Sequence, residues 1–165
     1  MMISAAMNAK LNEQLAAEFS AAHEYLSMAC ALEAMDLKVL SKRFQIQSEE
    51  EREHGMKIVR YVHDVGGTVT LDAIAKPSCE FSSPEAVVRK ALESERRIAK
   101  MINDLLTFAE SEKDHATRSF LQWFVDEQVE EVASMRDLLS LVQMACQNML
   151  QVEARVRHDM AGQSS

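Results

Sequence analysis

One spacing occurs twice in this chain, and both copies carry residues able to hold a metal. Glu18 is followed 33 positions later by Glu51 and 36 later by His54. Glu95 is followed 33 positions later by Gln128 and 36 later by Glu131. Each half offers a lone acid and then a polar pair at i, i+3. On a helix such a pair faces one side, a turn apart. Two helices with a single Glu, joined by two helices with i, i+3 pairs, make the ligand plan of a dinuclear carboxylate site inside a four-helix bundle. Carboxylate and imidazole ligands suit iron and leave open positions for oxygen.

The elements that must position these residues are legible as four apolar stripes at helical steps of three and four. The first runs Leu11, Leu15, Glu18, Ala22, Tyr25, Ala29, and the second Leu40, Phe44, Gln47, Glu51, His54, Ile58, Tyr61, Val65. The third runs Val88, Ala91, Glu95, Ile98, Ile102, Leu105, and the fourth Leu121, Phe124, Gln128, Glu131, Met135, Leu138, Val142. This is the period of helices packed in a bundle. Each stripe is apolar at both ends and polar near its middle. Burying an unpaired carboxylate costs several kcal/mol. Four such interruptions at one level need a shared reason, and a cation supplies it.

In the fourth helix two i, i+3 pairs compete. Gln128 and Glu131 continue the apolar series and point inward. Glu127 and Glu130 sit one residue back, rotated by about 100°, as Glu50 does beside Glu51. These three acids read either as an adjoining second metal site or as a solvated face. Tyr25, two turns after Glu18, reads as a ligand's hydrogen-bond partner, an electron donor or a core tyrosine. Trp123 reads as packing, and the 11 methionines as core filler.

Boundaries follow from local signals. The first helix is expected over about residues 8–34, with a turn at 35–37. The second starts near Lys38 and stops at Gly66 and Gly67. Residues 68–82 carry no stripe. Ser83 then caps a helix whose first residue is Pro84, with Glu85 in the first turn. That helix ends near Ser111, and the fourth runs to about Met144. Met149, Val152 and Val156 among charges predict a short fifth helix at about 146–160, before a frayed tail at 162–165. The two short connections make antiparallel hairpins. The long one between the second and third helices can run the length of the bundle. The chain therefore reads as one all-α domain over residues 1–165, a four-helix bundle at about 8–144 with one long crossover, the ferritin-like connection.

Composition excludes several other classes. The chain has 165 residues with 4 Gly and 2 Pro, which favours long helices over a sheet. Its net charge of −8 argues against a nucleic-acid partner. No apolar run approaches the ~20 residues of a membrane span, and residues 1–10 lack the basic head and apolar stretch of a signal peptide. Cys30, Cys79 and Cys146 show no paired spacing; free thiols fit a reducing cytoplasm, and Cys30 reads as core.

The run FLQWFVDEQVEE at 120–131 resembles the fourth-helix signature of prokaryotic non-haem ferritins. Glu18, Tyr25, Glu50, Glu51, His54 and Glu95 fall where that family's ferroxidase residues do. The resemblance covers about residues 11–141. It implies a 24-subunit hollow shell that oxidises Fe(II), with dioxygen or peroxide as oxidant, and stores Fe(III) mineral. By the same resemblance Glu18, Glu51 and His54 hold one iron, and Glu51, Glu95 and Glu131 the second, with Gln128 near it. Glu50, Glu127 and Glu130 match a third iron site. Bacterioferritins fit less well. Position 52 is Arg where they carry their haem methionine, so no haem is expected, and Glu131 stands where they have histidine. The segment after Val142 departs from the family's usual last helix, which surrounds a four-fold axis. A ferritin-like oxidase or peroxidase that keeps its iron, and a scaffold with a decayed site, are the competing readings.

Overall fold

The computed structural model describes residues 2–146 and 148–163, with the side chain of Gln163 left aside. It contains α1 (Ala5–Ala34), α2 (Lys38–Asp64), α3 (Pro84–Ser111), α4 (His115–Met144) and α5 (Met149–Gln163), with no strand among the described residues.

Side chains that cap the backbone set most of these limits. Ser4 accepts from the Met7 amide, so α1 starts at Ala5, three residues before the apolar stripe alone would place it. Ser83 accepts from the Ala86 amide ahead of Pro84, and Asp114 from the Thr117 amide ahead of α4. The N-terminus of α2 has Leu37 at its cap and no local acceptor. Glu153 of α5 supplies one from a distance. Its carboxylate accepts from the Leu40 amide at 2.8 Å and the Val39 amide at 3.2 Å. At the other end, Gly66 takes φ 72° and Gly67 donates to the Val62 carbonyl, closing α2 as the paired glycines predict.

The crossover climbs α1 from its start towards its end. The Thr68 amide donates to Asn8 Oδ1 at 2.9 Å and the Thr70 amide to Asn12 Oδ1 at 2.7 Å, while both asparagine amides donate to the Thr68 carbonyl. Further up, the Ser27 hydroxyl donates to the Ser78 carbonyl at 2.7 Å. The chain thus returns to the top of the bundle before α3 begins. The order is up, down, down, up, with α1 and α2 as one hairpin and α3 and α4 as the other. Gly67 is needed where this strap starts, because a Cβ there would lie 2.4 Å from Asn8 Oδ1.

The apolar core forms two clusters. One gathers Leu32, Leu40, Phe44, Val88, Leu138 and neighbours with Val152 and Val156 of α5. The other gathers Met7, Leu11, Ile58, Ile102, Leu121 and Phe124 with their neighbours. The polar middle of each stripe falls between them. Cys30 is not core: it is exposed, as are Cys79 and Cys146. It stands one residue past the fully buried Ala29, a rotation of about 100° that turns it off the stripe. The fifth helix starts at Met149 and continues through Gly162, where a frayed tail was expected; Ser164 and Ser165 lie outside the described residues.

Removing the remote cap is a direct test of how α5 is held. Glu153→Ala leaves two amides at the start of α2 without their acceptor and should cost about 1–2 kcal/mol. Thermal unfolding should show a lower melting temperature, and limited proteolysis an earlier cut near α5. An unchanged melt would show that water caps α2 equally well.

Candidate metal centre

Each helix of the bundle contributes at one level. Glu18 comes from α1, Glu51 and His54 from α2, Glu95 from α3, and Gln128 and Glu131 from α4. All six are buried, none more than 8% exposed. The oxygen and nitrogen atoms of Glu18, Glu51 and His54 come within 4.8 Å of one another, as do those of Glu51, Glu95 and Glu131. Glu51 belongs to both groups. His54 Nδ1 lies 3.5 Å from Glu51 Oε2 and 3.9 Å from Glu18 Oε2.

Neutral side chains hold these carboxylates in place. Gln14 Nε2 donates to Glu18 Oε1 at 2.7 Å. Gln47 Nε2 donates to Glu51 Oε1 at 2.9 Å and to Glu131 Oε1 at 2.8 Å, tying α2 to α4. The Tyr25 hydroxyl donates to Glu95 Oε1, and Gln128 Nε2 donates to Glu131 and, at 3.4 Å, to Glu95. Tyr25 is thus both a buried core tyrosine, packed on Phe44, and a hydrogen-bond partner of Glu95. Sequence reasoning did not assign Gln14 or Gln47 to the site. Their signal is a shared i, i+4 spacing, Gln14 to Glu18 and Gln47 to Glu51, which puts an amide one turn before each acid.

Among the described residues, three buried side-chain atoms have no hydrogen-bond partner: Glu18 Oε2, Glu51 Oε2 and Gln128 Oε1. All are acceptors. A buried unmatched acceptor costs about 1–3 kcal/mol, and what satisfies it is a proton or a cation. Burial drives the same conclusion through acidity. Desolvation, then the Glu51 charge, pushes Glu95 up to about 8 and Glu131 up to about 10. Desolvation and Glu51 also raise Glu18 well above the usual carboxylate range. Burial and the Glu95 charge raise Tyr25. Raised in this way, these buried carboxyls favour their protonated form.

Beside this centre opens an acidic cleft of about 400 Å³, whose lining includes Glu50, Glu127, Glu130 and Glu131. The three acids read as an adjoining site do share it, but their ligand atoms do not form one tight group. Only Glu127 does so, with His54 and Glu131. Glu50 and Glu130 are exposed, and burial raises Glu50. Trp123 packs edge-on to the His54 ring at 5.3 Å between centroids, with the Lys57 ammonium over its face.

Residues 8–145 match the Ferritin family, described as the ferritin-like domain. "Ferritin BfrB" of Mycolicibacterium smegmatis is 34% identical over 154 residues, covering 93% of this chain and 85% of that protein. "Bacterial non-heme ferritin" of Staphylococcus epidermidis is 41% identical over 130 residues, covering 79% and 78%. Among solved structures, the open-pore ferritin of the archaeon Archaeoglobus fulgidus superposes with a TM-score of 0.92 at 37% identity, over 94% of this chain and 96% of that one. An engineered closed form of that ferritin gives 0.91 at 38%, over 93% and 96%.

The raised acidities fix the sign of a pH dependence. Glu95 and Glu131 keep protons in the folded chain that they lose at about pH 4.3 when unfolded. Their contribution to stability is complete below that pH and is lost as pH rises through about 8 and about 10. Denaturation of the metal-free protein between pH 5 and 8 should show falling stability, and Glu131→Gln, which cannot titrate, should flatten the slope. Saturating Zn(II) should reverse it, because metal takes the ionised form. A metal-free protein that gains stability over this range would show that the buried acids are ionised.

Proposed function

The chain belongs to the ferritin-like domain family, among the prokaryotic non-haem ferritins, and with that as premise we propose how it stores iron. Fe(II) is a substrate that enters the buried centre and must leave it again. Glu18, Glu51 and His54 take one ion. Glu51, Glu95 and Glu131 take the second, with Glu51 bridging and Gln128 beside it. The observation that carries this reading is the acceptor pair Glu18 Oε2 and Glu51 Oε2, both buried, both without a hydrogen bond, and both close to His54.

The reaction is ferroxidation. Two Fe(II) each give up one electron. Dioxygen takes the two electrons with two protons and becomes hydrogen peroxide; when peroxide is the oxidant, it takes two electrons and two protons and becomes two waters. Metal binding displaces the protons that Glu95 and Glu131 hold in the empty centre. Tyr25 orients Glu95 from one side, and Gln47 keeps Glu51 and Glu131 facing each other. Oxidised iron passes to the cleft, where Glu50, Glu127 and Glu130 offer a third, looser and less buried position on the way out. This open route out favours storage over an oxidase or peroxidase that keeps its iron.

Among the described residues no helix is long and apolar enough to cross a membrane. We place the protein in the cytoplasm as a homo-oligomeric shell of 24 subunits, without haem and without a nucleic-acid partner. The helix faces outside the four stripes make the subunit contacts.

Three measurements test the reading. Glu51→Ala removes the bridge and should abolish fast Fe(II) oxidation, followed by absorbance under air, while the helical fold remains; wild-type initial rates would overturn the assignment. Glu131→Ala should slow the fast phase far more than Glu130→Ala, because Glu131 belongs to the buried centre and Glu130 to the cleft. Size-exclusion chromatography should give a particle of about 24 subunits. A stable monomer or dimer that oxidises Fe(II) but holds no mineral would favour the simple oxidase.

A further inference from the structure

The acidic cleft contains one cation of its own. Arg43 lines it with Gln47, Glu50, Glu127, Glu130, Glu131 and Asp159. Its guanidinium Nη2 donates to the Ser134 hydroxyl at 2.7 Å, which fixes it to the α4 wall. Among the described residues no carboxylate forms an ion pair or hydrogen bond with it. Its charge nonetheless reaches the cleft acids. Asp159 and Glu50 both act on Arg43, and Glu50 feels Arg43 in turn, against the opposing charges of Glu51 and Glu127.

Geometry and function pull in opposite directions here. Several carboxylates around one cleft hold a hard cation well. A cation held well would fill the exit once and stop further iron from leaving the buried centre. A guanidinium is charged at every working pH, and one that no carboxylate neutralises directly repels any cation settling beside it. A cleft lined by acids alone would attract iron and keep it. Adding one tethered positive charge keeps the attraction at range and weakens the final binding.

We propose that Arg43 is a specificity-determining residue of the cleft: its fixed charge keeps a third divalent cation from settling among Glu50, Glu127 and Glu130, so that the cleft passes iron on. The proposal rests on the reading of the cleft as the route out of the dinuclear centre. It concerns affinity, so it can be tested without turnover.

The test is an anaerobic equilibrium titration of the assembled full-length protein with Zn(II), which is not oxidised, counting bound ions by elemental analysis after ultrafiltration. Wild type should bind two ions tightly and a third weakly. Arg43→Gln should bind the third about tenfold more tightly. Arg43→Lys keeps the charge and should resemble wild type. Arg43→Gln combined with Glu130→Gln should lose the gained ion, which locates it in the cleft. If Arg43→Gln does not assemble, Arg43→Met keeps the aliphatic stem and takes its place. Identical third-ion affinity in wild type and the neutral variant would overturn the proposal, as would a lysine variant that behaves like the neutral one. A wild type that takes up no buried pair would instead sink the dinuclear reading. The Arg43 claim would still be decided by whether the neutral variant gains an ion sensitive to Glu130→Gln.

Discussion

The structure turns on the cost of placing four carboxylates and an imidazole at one buried level. Water cannot relieve that cost, since Glu18 and Glu51 have no exposed surface and Glu95 has almost none. Burial pushes Glu18, Glu95 and Glu131 above the usual carboxylate range, which favours protons that relieve part of it. The apolar clusters above and below supply the rest. They explain why the helices of the bundle are as long as they are. A helix of 12 or so residues could bury either the polar level or a core, not both. At 27–30 residues each helix carries a core segment on either side of the level. The site is a weak place clamped between two strong ones. Replacing its acids with apolar side chains of like volume would be expected to stabilise the empty bundle, so the acids are held there for what they bind.

The two hairpins use the same spacing but not the same chemistry, and the differences give the site direction. Glu18 corresponds to Glu95, Glu51 to Gln128, and His54 to Glu131. A carboxylate on α2 faces an amide on α4, so only Glu51 belongs to both halves of the centre. The two groups of ligand atoms are therefore unequal. One has the imidazole; the other has two carboxyls, Glu95 and Glu131, that burial pushes up to about 8 and about 10. Glu131 and His54 also join with Glu127. The acidic cleft opens on the α2–α4 side, and on the α1–α3 side Tyr25 bonds Glu95.

Much of this was readable from spacing, because a helix converts sequence distance into direction. The four stripes fixed which acids face inward, and the choice of Gln128 and Glu131 over Glu127 and Glu130 follows from one rotation of about 100°. Pro84, Ser83 and the paired glycines marked the ends where a local residue does the capping. Spacing failed where the partner is remote or the pattern is compositional. The cap of α2 is a glutamate more than a hundred positions away, invisible to any local rule. Cys30 looked apolar by its neighbours although its own angle points outward. Glu50, Glu127 and Glu130 share a cleft as their common offset implied, yet the tight group takes His54 and Glu131 instead, since side-chain reach and not register decides which oxygens meet. Gln14 and Gln47 carried a readable i, i+4 signal that only acquires meaning once the acids are known to be buried.

The C-terminal helix links two parts of the molecule that the sequence treats as separate. Val152 and Val156 are fully buried against the upper core, so α5 is seated on the bundle and is not an appendage. On its flanks Glu153 caps α2, and Asp159, almost two turns on, faces the cleft. One rigid element thus sets both the start of the helix that bears Glu51 and His54 and the charge at the cleft wall. The family match ends at residue 145, before this helix begins. The likeness to the archaeal ferritin covers 94% of the chain, too large a share to leave α5 out entirely. Substitution on a retained helix alters side chains without moving the backbone. The buried centre, whose residues all lie before α5, is insulated from such change. The cleft is not, because Asp159 contributes to it directly. Variation in this last helix should therefore reach the passage of iron before it reaches its oxidation.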